Sequence, residues 1–381
     1  MNQPPDILIL TDWFAPGYKA GGPIRSCVNL VGLLGDRARL RVLTTDTDAG
    51  DTHPYPDIRP DHWIPFGTSH VYYLSRSQMR PARIMRLLRN TQPGCLYINS
   101  LFSPWFTLFP LILKRLGLLQ VPVVLAPRGM LQAGAMQYKS RKKQLFVSLF
   151  RAAGIHRLVR FHATDEQEKQ DIHHHLGTKV QVRVIPNIPA SPPLRPATLD
   201  KTHGVLRCVF VSRISPKKNL DYLLHELKGF TAQLHLDIVG PVEDVEYQSL
   251  CEGIISILPP NVSVTWIGPA EPEAVQAYLQ GSHIFVLPTH GENFGHAIYE
   301  ALAAGRPALI SDRTPWRGLA AARAGWDIPL ETPDAFRAAL VTAAAWDQAT
   351  FDEWSHAAHH LAVTYAQPDT LAQAYLDLFT P

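Results

Sequence analysis

Short apolar runs alternate with amphipathic stretches along the whole chain. Most of the runs are four to six residues long and rich in β-branched side chains, which is typical of buried parallel strands. They lie at residues 7–10, 40–43, 71–74, 95–98, 121–125, 160–163, 207–211, 234–239, 263–267, 284–287 and 308–310. The stretches between them have helical spacing, so the pattern predicts repeated βα units and parallel sheets covered by helices on both faces.

Two domains are expected rather than one. A chain of 381 residues exceeds what one hydrophobic core usually serves. The proline-rich segment 185–196 separates the two series of runs and is typical of a linker. We therefore expect an α/β protein of two facing Rossmann-like, doubly wound parallel-sheet domains, at residues 1–190 and 191–355, with a ligand cleft at the carboxyl ends of both sheets.

The segment 290–307 predicts a strand, a glycine-rich turn and a helix in succession. Glu292 follows the apolar run 284–287, and the helix is expected to begin at Asn293 and to stop at Gly305. The N–H groups of Asn293, Phe294 and Gly295 would then point out of a helix N-terminus, where they favour anions and hydroxyl groups. Glu300, two turns further on, could accept two hydrogen bonds from a vicinal diol such as a ribose.

A second candidate loop follows the run 207–211 and carries Arg213 and Lys218. Arg213 could bind phosphates bidentately and Lys218 as a point charge. Two cations at this place could neutralise a departing diphosphate without a metal ion. The adjacent Lys217 is the alternative to Lys218.

The first half offers a glycine-rich loop and an arginine. Gly21 and Gly22 precede a predicted helix and would let the backbone approach a ligand, although a plain βα turn also fits them. Arg128 follows the run 121–125 and cannot act as a base near neutral pH, so its predicted role is electrostatic. Asn99 and Ser100 are weaker candidates for the same pocket.

Two motifs contain these residues: an E-x7-E element with Glu292 and Glu300, and an R-x4-K element with Arg213 and Lys218. Both motifs resemble those of retaining glycosyltransferases of the GT-B fold, in particular family 4 (glycosyl transferases group 1). The resemblance implies that Glu300 holds the nucleotide ribose, that Glu292 and the loop amides contact the donor sugar, and that the glycine-rich loop closes over the diphosphate. It also implies that C-terminal helices at 356–381 cross back to the first domain. Arg128 stands where many family members have a histidine.

The implied activity is a retaining, metal-independent glycosyltransferase of the hexosyltransferase class. It needs no cofactor, and its donor would be a UDP-sugar or GDP-mannose. A sugar-nucleotide epimerase of the same fold is one alternative, and a silent membrane-docking glycan or lipid binder is another. A phosphorylase would need a pyridoxal phosphate lysine and usually a longer chain, and neither is evident.

Positive charge is concentrated in the first half. Residues 1–190 carry a net charge of +12 and residues 191–381 carry −9, and 15 Lys and Arg residues but no Asp or Glu lie between Asp61 and Asp165. Two basic amphipathic helices are predicted, at 81–88 and 139–150. They indicate a peripheral protein on the anionic cytoplasmic face of an inner membrane with a lipid-linked saccharide acceptor, although core-packed helices with solvated basic faces would show the same pattern. No nucleic-acid motif accompanies the charge.

Other signals point away from metals and from membrane insertion. The D-x-D motif of Asp46 and Asp48 belongs to a different glycosyltransferase fold, and three consecutive histidines, 173–175, point in three directions on a helix. Four scattered cysteines favour a reducing compartment. We expect neither a signal peptide nor a bilayer-spanning segment.

Overall fold

The computed structural model describes residues 4–132, 136 and 140–380. The chain divides into two compact units, Met1–Ile188 with Pro368–Pro381 (unit 1) and Pro189–Gln367 (unit 2). The second division lies at Gln367, whereas the sequence placed it at 355. Pro368 explains this position, because proline cannot continue a helix but is tolerated in the first turn of the next one.

Unit 1 is built on an eight-stranded sheet. Its strands are β1 Asp6–Leu10, β2 Arg39–Thr45, β3 Trp63–Phe66, β4 Ser69–Leu74, β5 Cys95–Ile98, β6 Val123–Leu125, β7 Arg160–Ala163 and β8 Val182–Val184. Their spatial order is β3-β4-β2-β1-β5-β6-β7-β8, and every pair is parallel except β3 with β4.

Helices cover both faces of this sheet. They are α1 Gly22–Leu34, α2 Pro81–Thr91, α3 Phe109–Arg115, α4 Ser140–Ala152, α5 Glu166–Leu176 and, from the end of the chain, α12 Pro368–Phe379. The alternation of β1 divides the core, because Ile7 and Ile9 enter one hydrophobic cluster and Leu8 and Leu10 the other. α12 contributes Tyr375 and Phe379 to the first of these clusters.

Unit 2 is built on a six-stranded, all-parallel sheet. Its strands are β9 Val205–Val211, β10 Gln233–Val239, β11 Val262–Gly268, β12 Ile284–Leu287, β13 Ala308–Ser311 and β14 Gly325–Ile328, in the order β11-β10-β9-β12-β13-β14. Its helices are α6 Leu220–Leu227, α7 Val245–Ile255, α8 Pro272–Gln280, α9 His296–Ala303, α10 Pro333–Ala344 and α11 Gln348–Ala366. None of the helices in the described parts of either unit is long and apolar enough to cross a membrane.

Each sheet has one point at which the strand order reverses. In unit 1 the reversal lies between β1 and β5, and in unit 2 between β9 and β12. Loops leaving the carboxyl ends of such a strand pair diverge to opposite faces and leave a crevice in which ligands bind. The loops at these points carry Gly21, Asn99, Lys218 and Glu292, so the topology places the predicted residues where a doubly wound sheet binds its ligand.

Candidate functional site

An ion pair lies at the strand reversal of unit 2. The loop after β9 forms a short helical turn, Pro216–Lys218, and the Lys218 ammonium donates to Oε1 of Glu292 in the loop after β12. The two side chains are only 10 % and 13 % exposed. The sequence predicted both residues, and the structure adds that they are direct partners.

Backbone bonds hold the loops of this ion pair together. The His290 N–H donates to the Lys217 carbonyl at 2.8 Å, and the Glu292 N–H donates to the Arg313 carbonyl at 3.1 Å. The Ser311 hydroxyl donates to the Thr289 carbonyl at 2.5 Å. Three loops, those after β9, β12 and β13, therefore fix the position of Glu292.

Arg213 lies in the same loop as Lys218 but is more exposed. Its Nη1 donates to Oε1 of Glu243 at 2.9 Å, and the side chains are 44 % and 47 % exposed. Exposed pairs of this kind contribute little to stability, so Arg213 can exchange Glu243 for another anion at small cost. No motif in the sequence indicated Glu243.

Gly240 brings the loop of Glu243 against that of Arg213. A Cβ at Gly240 would lie 1.9 Å from the Ser212 carbonyl oxygen, so only glycine permits this approach. The Ile214 N–H then donates to the Pro241 carbonyl at 2.9 Å, and the Glu243 N–H to the Ile214 carbonyl at 3.1 Å. Two glycine-proline pairs after strands were visible in the sequence, but nothing there linked them to Arg213.

Lys217 also belongs to this charge cluster. Although the residue is exposed, desolvation lowers the pKa of its ammonium; the Glu292 carboxylate opposes that shift, and the Lys218 and Arg213 cations add to it. The loop after β9 thus carries three cations and no carboxylate of its own, which is an excess of positive charge. Such an excess suits an anionic ligand.

The helix that carries Glu300 begins later than predicted. α9 starts at His296, and Gly295 is its N-cap residue with φ 78°. Asn293, Phe294 and Gly295 therefore precede the helix, and its first turn is 296–299. The left-handed angle of Gly295 ends the extended loop at this point. Glu300 is the fifth helical residue and is half-buried.

The predicted end of this helix is confirmed. Gly305 has φ 74°, its N–H donates to the Leu302 carbonyl at 2.9 Å, and the Arg306 N–H donates to the Ala301 carbonyl at 2.8 Å. These two bonds form a Schellman motif. Gly305 was sufficient to predict the end of the helix, because that end depends on local backbone geometry alone.

Phe294 anchors the loop instead of lining it. The residue is buried, and its carbonyl accepts from the Trp316 indole N–H at 2.6 Å. Its ring lies 5.7 Å from the Trp316 ring and 5.9 Å from the Tyr365 ring. Its side chain is part of the core, and no sequence motif indicated either aromatic partner.

The glycine-rich loop of unit 1 is pinned by an aspartate. Gly21 caps α1 with φ 67°, and a Cβ there would meet nothing within 4 Å, so the backbone angle is what requires glycine. α1 begins at Gly22. Asp48 accepts hydrogen bonds from the Tyr18 and Lys19 N–H groups at 2.8 and 3.1 Å.

This contact gives the D-x-D motif a structural role. Asp48 is buried against the loop, and burial raises the pKa of Asp46. Across residues 4–132, 136 and 140–380, no group of three or more His, Cys, Asp or Glu residues could hold a metal ion.

Arg128 lies in a hydrogen-bonded network at the carboxyl edge of the first sheet. Its guanidinium donates to Asn99 Oδ1 at 2.6 Å, to the Tyr97 hydroxyl at 2.6 Å and to Asn187 Oδ1. All three acceptors are neutral, so they orient the cation without cancelling its charge. Asn99, predicted as a pocket residue, is thus a partner of Arg128.

A buried histidine completes this network. Because Tyr97 accepts from Arg128, its own hydroxyl proton points to His162 Nδ1 at 2.8 Å, and His162 Nε2 donates to the Ile185 carbonyl at 2.9 Å. Desolvation, followed by the charge of Arg128, lowers the pKa of His162 to about 3. The ring is therefore neutral. No periodicity or spacing linked Tyr97, His162 and Asn187 beforehand.

The Arg128 loop is also held from α5. Glu168 is buried and accepts from the Gly129 N–H at 2.6 Å and from the Thr164 N–H at 2.8 Å. The N-cap of α5 is Asp165, which accepts from the Glu168 N–H at 2.7 Å. The hydroxyl of Thr164 donates to Glu168 at 2.7 Å.

Two family models match the chain, one in each half. The Glycosyltransferase Family 4 model matches residues 20–188, and the Glycosyl transferases group 1 model matches residues 197–343. A search of curated proteins finds no significant match.

Solved structures resemble the chain over almost its full length. They include the sucrose-phosphate synthase of Thermosynechococcus elongatus (TM-score 0.73, 17 % identity, 99 % of both chains) and Anabaena HepE in complex with UDP and glucose (0.66, 15 %, 98 % of both chains). A third is WaaG, a glycosyltransferase involved in lipopolysaccharide biosynthesis (0.65, 14 %, 98 % of this chain and 99 % of that one).

The two parallel α/β units and these neighbours define the fold as GT-B. Both matched family models describe glycosyltransferase domains, and together they reach into both units. The chain is a glycosyltransferase.

Proposed function

We propose that this enzyme is a retaining, metal-independent glycosyltransferase of family 4 that transfers a hexosyl group from a nucleoside diphosphate sugar. The observation that carries the proposal is the Lys218–Glu292 pair at the strand reversal of unit 2, beside Arg213 and the start of α9. A doubly wound sheet binds nucleotides at this point.

Each residue has a distinct role in the proposed donor site. Arg213 and Lys218 bind the diphosphate, and Glu292 then turns from Lys218 to the hydroxyl groups of the donor sugar. Glu300 accepts from the ribose diol. In unit 1, the backbone of Gly21 and Gly22 approaches the diphosphate, and Arg128 attracts the diphosphate or an anionic acceptor.

The reaction needs orientation and charge stabilisation rather than a base from the protein. The acceptor hydroxyl attacks the anomeric carbon on the face that the diphosphate leaves. The bond from that carbon to the phosphate oxygen breaks, and the hydroxyl proton passes to the departing phosphate. Because negative charge grows on the leaving group, cations held in place before the reaction stabilise the transition state. The proposed reaction needs no cofactor.

UDP-sugars are the first donors to test. The HepE structures contain UDP with glucose in one case and UDP-glucose in another. GDP-mannose remains the second candidate, because neither charge nor hydroxyl recognition by the named residues selects a base.

The proposed acceptor is a lipid-linked saccharide or a lipopolysaccharide core at the cytoplasmic face of an inner membrane. WaaG, one of the similar structures, is involved in lipopolysaccharide biosynthesis. An acceptor of this kind is held at a lipid surface, so the enzyme would bind that surface peripherally.

One of the two predicted basic helices supports membrane binding. α4 buries Val147 and Phe150 but exposes Leu145 and Leu149, each 60 % exposed. Arg141 lies four residues before Leu145 and therefore on the same face. A helix face that exposes leucines among cations suits an anionic membrane surface. Lys139, at the predicted start of this helix, lies outside the described residues.

α3 and the residues that follow it also expose aliphatic side chains. Ile112, Leu116 and Leu118, in and after α3, are also exposed, and the Arg115 side chain donates to the Ala153 carbonyl at 2.9 Å. We call the following residues the basic aliphatic surface: Ile112, Arg115, Leu116, Leu118, Arg141, Lys142, Leu145 and Leu149.

The other basic helix, α2, is packed against the core. Ile84, Leu87 and Leu88 are buried, and the Arg83 guanidinium donates to the Tyr72 hydroxyl. Its remaining arginines form a solvated face, which is the alternative that the pattern left open. Membrane binding is therefore proposed for the basic aliphatic surface and not for α2.

Calorimetric titration with UDP, GDP, UDP-sugars and GDP-mannose tests the donor site. We expect the protein to bind either the uracil or the guanine nucleotides. Glu300→Ala should weaken that binding by roughly 10- to 100-fold, because a hydrogen bond to a charged group contributes about 1.5–3 kcal/mol. Glu246→Ala, an exposed carboxylate on α7, is the matched control and should bind like the unaltered protein.

Two results would redirect the proposal. Binding of no nucleotide would favour a silent glycan or lipid binder. Conversion of the bound nucleotide sugar in the absence of any acceptor would favour an epimerase.

A further inference from the structure

A cavity of about 530 Å³ lies in unit 1 at the amino ends of the strands. Cys95, Val123 and Arg160 are the first residues of β5, β6 and β7, and all three line it. We call it the amino-edge cavity. Arg128 and Asn99 follow the carboxyl ends of β6 and β5, so the cavity is separate from the candidate active site.

The cations of this cavity have no acidic partner in the part of the chain that the structure describes. Arg157, Arg160 and Lys179 line the cavity, and none of its described lining residues is Asp or Glu. The Arg157 and Lys179 side chains are exposed and neither hydrogen-bond to nor pair with any described residue. Three like charges around one cavity repel each other, and a bound anion would relieve that repulsion.

Arg160 also has a structural role, at the end of α12. Its Nη1 donates to the Leu378 carbonyl at 2.9 Å and to the Thr380 carbonyl at 3.1 Å, at the end of α12. A cation is favoured at a helix C-terminus, which accounts for this contact. It does not account for Arg157 and Lys179.

A buried histidine adds a second observation. His156 lines the cavity and is 7 % exposed, and its Nδ1 has no hydrogen-bond partner among the described residues. A buried polar atom without a partner is costly. Desolvation, and then the charge of Arg157, lowers the pKa of His156, and the ring already hydrogen-bonds to the Phe150 backbone. The neutral ring therefore offers Nδ1 as an acceptor to a donating ligand group such as a phosphoryl hydroxyl.

The remaining lining is largely apolar. Val124, Val159, Val180 and the α12 residues Leu378 and Phe379 all contribute to it. A ligand that fills the cavity therefore needs an anionic group for the cations and an apolar part for this wall.

We propose that the amino-edge cavity is a binding site for a phosphomonoester with an apolar portion, in which Arg157, Lys179 and His156 hold the phosphoryl group. The chemistry is shared by a free phosphorylated metabolite and by phosphatidic acid, whose headgroup is a phosphomonoester. The bound molecule would contact both the sheet and the end of α12, so it would stabilise the docking of α12.

Calorimetry and thermal unfolding of the full chain test this site. The probes are inorganic phosphate, dihexanoyl phosphatidic acid below its micellar concentration, and phosphatidylcholine vesicles with and without phosphatidic acid. The variant is Arg157→Ala with Lys179→Ala. Arg86→Ala with Arg89→Ala is the matched control, because it removes two exposed cations from α2, whose residues do not line the cavity.

We expect the short-chain phosphatidic acid to bind more tightly than phosphate and to raise the melting temperature. The cavity variant should weaken that binding at least tenfold, and the α2 control should leave it unchanged. Binding of soluble probes alone would identify a metabolite site. Binding of phosphatidic acid vesicles that the cavity variant abolishes would identify the lipid headgroup.

Two outcomes would overturn the proposal: no binding of any probe, or equal weakening in the cavity variant and the α2 control. Arg157→Gln with Lys179→Gln replaces the alanine variant should that one fail to fold. Lys218→Ala separates this site from the donor site, because it should weaken nucleotide binding and leave phosphatidic acid binding intact.

Discussion

Two adjacent lysines in the loop after β9 differ in their surroundings. Lys218 is buried and pairs with Glu292, whereas Lys217 is exposed and supplies its carbonyl to the β12 loop. A backbone carbonyl is retained whatever the side chain. The side-chain charge that matters for the donor diphosphate should therefore be that of Lys218.

We expect Lys218→Ala or Arg213→Ala to lower kcat by about 100-fold or more, since each removes a cation that stabilises charge on the leaving diphosphate. Lys217→Ala, the neighbouring control, should cause a much smaller loss. Steady-state kinetics with saturating donor measure the difference. Near-normal turnover of the Lys218 and Arg213 variants would refute the proposed site.

Some individual residues could be predicted from the sequence and others could not. Glu292 and Lys218 follow strands in short loops, and their spacing to Glu300 and Arg213 made them visible. The rest of the Arg128 network was not visible, because Tyr97, His162 and Asn187 come from three different strand ends. Only the parallel packing of β5, β7 and β8 brings these residues together.

At the scale of elements, the strands that the sequence missed all lie at sheet edges. β3 and β8 are the two edges of the first sheet, and β14 is one edge of the second. Their residues are mostly half-exposed or exposed, and β3 contains Pro65. An apolar run marks a strand that is buried on both faces, so edge strands lack that signal.

The basic aliphatic surface gives a prediction for one element. We expect Leu145→Ser with Leu149→Ser to weaken binding to anionic vesicles by about tenfold or more, because the two exposed side chains would lose apolar contact with the lipid. Vesicle sedimentation measures the bound fraction of each protein. Binding of the unaltered protein should also fall with added salt.

The control for this surface lies in unit 2. Val245→Ser with Leu250→Ser removes two exposed aliphatic side chains from α7 and should not affect sedimentation. An equal loss in both double variants, or no response to anionic lipid, would contradict a membrane role for α4.

At the scale of the whole molecule, unit 1 and unit 2 both bury a histidine completely, His162 and His283. Desolvation is the first cause that lowers the pKa of His162 to about 3 and of His283 to about 4. His283 accepts from the Arg207 N–H at 2.9 Å, and its other ring nitrogen lies 3.1 Å from the Asp200 carbonyl. Both units should therefore be sensitive to acid.

The direction of the effect follows from the folded and unfolded pKa values. Below about pH 6.5 the unfolded chain binds a proton at each histidine and the folded chain does not, so stability falls as the pH falls. Each histidine should cost about 2 kcal/mol between pH 7 and pH 5, at about 1.4 kcal/mol per pH unit.

Variants that keep the hydrogen bonds but cannot be protonated test this prediction. His162→Gln should reduce the acid sensitivity of unit 1 alone, and His283→Gln that of unit 2 alone. Hydrogen exchange measured in each unit at pH 7 and pH 5 reports the free energy of opening. Unchanged pH profiles in both variants would show that these histidines do not control acid stability.

The sequence by itself determined the α/β class, the buried central strands, the presence of two domains and the loops that carry Glu292, Lys218, Arg213 and Arg128. These features depend on local periodicity and on turn residues, which a linear chain displays. The tertiary structure decided where the last helix belongs, where α9 begins, and which residues are partners. It alone paired Lys218 with Glu292, assembled the Arg128 network and formed the amino-edge cavity, because each joins residues distant in the chain that only strand order brings together.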